Sequence, residues 1–81
     1  MSNTINVEIA TPNVWTETIT GATTGIVSIA KGGQHCIHTG APAETLIGHR
    51  FTGDLVSFTL GEGEALYVKG DSATKVVITE D

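Results

Sequence analysis

An 81-residue chain has room for one domain, spanning 1–81, and at this length folding buries only about 60% of the surface the unfolded chain exposes, so the core alone leaves little margin. The single cysteine, Cys36, excludes an internal disulfide, no apolar run nears the roughly 20 residues of a membrane span, and Met1-Ser2-Asn3-Thr4 lacks the basic start of a signal peptide. The net charge is −5, with Lys31, Arg50, Lys69 and Lys75 scattered singly, which speaks against nucleic acid and anionic membrane as partners, because both need several cations on one face. The expectation is a soluble protein of a reducing cytoplasm that gains part of its stability by assembly, as small domains without disulfide or metal commonly do.

Ile, Val and Thr make up 28 of the 81 residues, and ten glycines interrupt any long periodic run, so short strands and tight turns fit better than helices. In chain order, Ile5, Val7 and Ile9 alternate with Thr4, Asn6 and Glu8, the period-two pattern of a half-buried strand, and Pro12-Asn13 breaks it. A second strand follows over Val14 to Ile19, with Trp15 assigned to the core. Gly21 and Gly25 bracket a turn. Ile26 to Ala30 forms a third strand, and Lys31-Gly32-Gly33 reads as a hairpin loop into Gln34 to Thr39, predicting antiparallel neighbours.

Residues 40–53 are the least regular stretch, a long connection in which Leu46, Ile47 and Phe51 are the apolar anchors. Beyond it, Val56, Phe58 and Leu60 share a face, Gly61-Glu62-Gly63-Glu64 turns, Leu66 and Val68 return, and Gly70-Asp71-Ser72 leads into Thr74 to Thr79. These last three strands read as a meander. The whole predicts an all-β fold, a small antiparallel β-sandwich or barrel of about 7–8 short strands. Its expected core is Val7, Val27, Ile29, Ile37, Val56, Phe58, Leu60, Leu66, Val68, Val76 and Ile78.

Only His35-Cys36-Ile37-His38, with His49 further on, gathers metal ligands or a nucleophile and a base. On an extended strand Cys36 and His38 share one face and His35 shares the other with Ile37, so at most two of the three local groups converge. A closed zinc site needs four ligands, and the expectation is no bound metal or cofactor, except where histidines from several copies meet on a symmetry axis. A Cys36 nucleophile with a His38 base would further need an oxyanion site, an orienting group and a deep cleft. No catalytic residue is therefore assigned, and the chain is expected not to be an enzyme. Glu8, Glu17, Glu44, Asp54, Glu62, Glu64, Asp71, Glu80 and Asp81 read as solvated, Asp71-Ser72 has too few oxygen ligands for calcium, and Gly61-Glu62-Gly63 serves a turn rather than a phosphate.

The strand Val14-Trp15-Thr16-Glu17, the run Ile37-His38-Thr39-Gly40-Ala41-Pro42-Ala43, the pair Gly48-His49 and the closing Glu64-Ala65-Leu66-Tyr67-Val68-Lys69-Gly70 carry a likeness over most of the chain. In them the sequence resembles small virion-associated proteins of tailed bacteriophages, of the capsid-decoration, head-fibre or tail-accessory kind. The resemblance implies a β-sandwich docked on a phage coat or tail protein, commonly as a trimer or other ring, and located in the virion after assembly in the host cytoplasm. It transfers no catalytic residue. For docking, the strand Thr4, Ile5, Asn6, Val7 and Glu8 is the expected interface, because it is rich in β-branched residues and lacks the Lys, Arg and Pro that protect strand edges. The alternative from another class is a small ligand- or glycan-binding module with Trp15 or Tyr67 as a stacking platform, which requires a flat, solvent-accessible ring.

Overall fold

A computed structural model describes residues 2–52 and 55–81 and contains eight strands and, among the described residues, no helix. They are β1 (Asn3–Ile9), β2 (Thr16–Thr20), β3 (Thr23–Ile29), β4 (Gly33–His38), β5 (His49–Arg50), β6 (Val56–Leu60), β7 (Ala65–Gly70) and β8 (Thr74–Glu80). Two four-stranded sheets form, in the orders β1-β8-β3-β6 and β2-β7-β4-β5, with every pairing antiparallel. First pairs with eighth, second with seventh, third with sixth and fourth with fifth: a long hairpin folded over on itself. This strand order is that of a jelly roll, a two-sheet sandwich.

The nesting overturns two of the pairings expected from sequence. Strands β3 and β4 are not hairpin partners, and β6, β7 and β8 do not form a meander, because each short connection carries the chain into the opposite sheet. Among the described residues only β4 and β5 are neighbours both in sequence and in a sheet, and they are joined by the long connection over 39–48. The turn at 61–64 forms as expected. Glu64 N–H donates to the Gly61 carbonyl at 3.2 Å, and Gly63 has φ of +82°, the position where a type II turn requires a residue without Cβ.

Alternation decides which side chains meet between the sheets. Ile5, Ile78, Val27 and Val56 are register partners in one row across the first sheet, and Val7, Val76 and Ile29 make the next. With Ile9, Ile19, Phe58, Leu60, Leu66, Val68 and Phe51 they form the main core. Ile37, expected there, is 41% exposed, because β4 lies beside the two-residue β5 at a poorly covered edge of the second sheet. The outward rows of the first sheet are mainly polar, such as Asn6, Val77 and Ser28, or Thr4, Thr79, Ile26 and Ser57.

β7 is buried along its whole length. Leu66 and Val68 face the main core, whereas Ala65, Tyr67 and Lys69 lie on the outward face, where Ala65 and Tyr67 form a second small cluster with Trp15 and Cys36. Connection 39–48 covers that face. Trp15 Nε1–H donates to the Leu46 carbonyl at 3.3 Å, Lys69 Nζ–H donates to the Glu44 carbonyl at 2.8 Å, and the Lys69 ammonium sits 4.7 Å from the Trp15 ring centroid. The anchors of this connection differ from expectation. Pro42 is buried and Phe51 packs on the main core, but Ile47 is 84% exposed and Leu46 holds Trp15 through its carbonyl rather than its side chain.

Candidate functional site

Two regions combine accessibility with unusual chemistry: the free edge of β1, and the open mouth of the sandwich between β4-β5 and β6. β1 is an edge strand, hydrogen-bonded to β8 along one side only, in an unbroken register from Asn3↔Glu80 to Ile9↔Thr74. No bulge twists this edge away, and no Lys, Arg or Pro interrupts it. Thr4, Asn6 and Glu8 are exposed, whereas Ile5 and Val7 turn half-buried into the core and Ile9 is fully buried. The accessible feature of the strand is thus its backbone edge and its polar face.

At the mouth, His35, Ile37, Leu46, Ile47, His49 and Phe58 line much of an opening of about 410 Å³. β5 is only two residues long, yet three contacts hold it. Gln34 Oε1 accepts from Gly48 N–H at 3.0 Å, Phe51 N–H donates to the Gly33 carbonyl at 3.1 Å, and Gly48 is wedged between the His35 backbone and the Trp15 ring, where a Cβ would come within 2.6 Å of both. The consequence is a fixed pairing of His35 with His49, whose ring centroids are 5.7 Å apart. The Phe51 ring packs on the other partner, 4.7 Å from the His35 centroid. Burial, and secondly the nearby His49, push the His35 pKa below its ordinary value.

The remaining members of the cluster point elsewhere. Cys36 pairs with Tyr67 and His38 with Ala65, on the outward face of the sheet, as strand alternation predicts. His38 Nδ1 lies 3.1 and 3.0 Å from the Thr39 and Gly40 carbonyls, an arrangement that assigns it the donor tautomer, and among the described residues no hydrogen bond joins it to Cys36. Burial raises the Cys36 thiol pKa, opposed by the Lys69 charge, so the thiol is a poor nucleophile at neutral pH. No group of three or more His, Cys, Asp or Glu side chains converges on a metal-sized site among the described residues. Asp71 is engaged by Arg50 at 2.6 Å, across a half-exposed pair, and Asp54 lies outside the described residues.

The aromatic rings are turned inward. Trp15 is 8% and Tyr67 6% exposed, and the Tyr67 hydroxyl donates to Glu17 at 3.2 Å. The mouth itself was not read from the sequence. Its one signal was His49, eleven residues beyond His38, but nothing in that spacing placed it opposite His35.

Comparison with protein-family models, with curated proteins and with solved structures finds no match to this chain.

Proposed function

We propose that this chain is a structural subunit of a larger particle, a bacteriophage virion protein of the capsid-decoration or head-fibre kind that docks on a coat or tail protein lattice through a free sheet edge. The observation that carries this reading is β1, a seven-residue edge strand with no bulge and no Lys, Arg or Pro to discourage pairing. Adding that edge to a neighbouring chain's sheet would satisfy its free backbone groups. It would also supplement a core that is small for its surface. Two further features agree. The jelly roll is an architecture that viral coat and lectin domains share, although a fold alone does not specify a function. Against the lectin-like alternative, Trp15 and Tyr67 are buried and offer no flat ring to a sugar.

The test follows from the side chains of β1. Deleting the strand would remove Ile9 from the core and unfold the domain, so Thr4→Lys with Asn6→Lys is the cleaner perturbation, since both residues are exposed and two charges then flank the edge. The wild-type chain is expected to sediment with assembled particles at a fixed ratio to the main coat protein and to run as a trimer or other ring when isolated. The double variant is expected to keep its β-rich spectrum and lose particle binding. A wild-type chain that is a stable monomer and is absent from particles overturns the proposal.

A further inference from the structure

We propose that His35 and His49 form a cross-strand chelate for a divalent transition-metal ion of the zinc class, at the mouth of the sandwich. The shortage of ligands in the sequence argues only against a closed four-ligand structural site. It leaves open a two-imidazole site whose remaining positions face solvent or an incoming group, as open zinc sites do.

The geometry favours such a site. The two histidines are direct register partners, both on the face of the second sheet that carries Val68. Metal–nitrogen bonds of about 2.0–2.1 Å with tetrahedral angles put two imidazole centroids roughly 5 Å apart, close to the observed 5.7 Å. No described residue hydrogen-bonds either ring, whereas the third histidine, His38, is engaged by backbone carbonyls. Preorganisation adds to the case: Phe51 packs on the His35 ring, while Gln34 and Gly48 hold the two strands in register. A chelate assembled on a rigid sheet loses little conformational entropy on binding. Imidazole donors suit zinc, copper and nickel, whereas the oxygen-seeking magnesium and calcium would be rejected. The opening is rimmed by Ile37, Leu46 and Ile47, and among the described residues no carboxylate lines it.

The experiment is a zinc sulfate titration of the full-length chain at pH 7.5, read by calorimetry and by the histidine ring-proton NMR signals. One zinc per chain is expected, with the His35 and His49 signals moving together and the His38 signal unmoved. His49→Ala, at an exposed position that should not affect folding, is expected to weaken binding at least about tenfold, whereas His38→Ala leaves it unchanged. The inference is overturned if the ring signals of His35 and His49 do not respond to about millimolar zinc, or if His38→Ala weakens binding as much as His49→Ala. Neither result bears on the particle-binding test, which does not involve these residues.

Discussion

Phe58→Ala tests the packing of the sandwich most directly. The ring is 6% exposed, belongs to the main core and lies against Gly25, where an added Cβ would approach the ring to 3.0 Å. A buried aromatic ring removes about 150–250 Å² from water, and Phe→Ala substitutions in cores cost about 3–5 kcal/mol because the cavity collapses only in part. An 81-residue domain has a total stability of about 4–12 kcal/mol, so the variant should sit near or beyond unfolding. With a urea slope of about 1 kcal/mol/M, the midpoint should fall by roughly 3 M or more. Far-UV dichroism and the fluorescence of Trp15 should report it together, although Trp15 belongs to the outward cluster, because a domain this small unfolds cooperatively. Gly25→Ala separates ring packing from backbone packing, since its Cβ would also collide with the Thr79 carbonyl. It should be destabilising by about 1–3 kcal/mol and remain so when combined with Phe58→Ala. A Phe58→Ala midpoint within 1 M of wild type would refute the assignment of this ring to the core.

Three further outcomes are expected. Because the folded pKa of His35 lies below the unfolded value of 6.5, the unfolded state binds more protons between the two, so stability is fully present above about pH 6.5 and declines as pH falls towards the lowered value; His35→Leu should flatten this part of a stability-against-pH curve. Cys36 should alkylate at least about tenfold more slowly in the folded chain than in urea, because burial raises its thiol pKa, whereas Cys36→Ser and His38→Ala should leave particle binding intact. Lys69→Met should cost about 1–3 kcal/mol through loss of the Glu44 carbonyl contact and the Trp15 cation–π contact, with faster amide exchange confined to 39–48; exchange unchanged in that segment would show that Lys69 does not hold it.

Strand content and the facing of most side chains were legible from the residues. Alternation in Ile5, Val7 and Ile9, or in Val56, Phe58 and Leu60, states which side of a strand must leave water, and that side faces inward whichever strand lies beside it. The same logic separates Cys36 and His38 from His35, whichever strand lies beside them. Pairing was not legible. A connection of three residues such as 30–32 can close a hairpin to a strand about 5 Å away or cross to a sheet about 10 Å away, and period-two alternation is satisfied by both. What decides for crossing is the sum of the distant contacts, above all the row Ile5, Ile78, Val27 and Val56, which local turn chemistry does not encode. Tertiary structure alone likewise covered the outward face of β7 with 39–48 and brought His49 opposite His35, because both depend on where a long connection lands, and its residues specify flexibility and anchors rather than a destination.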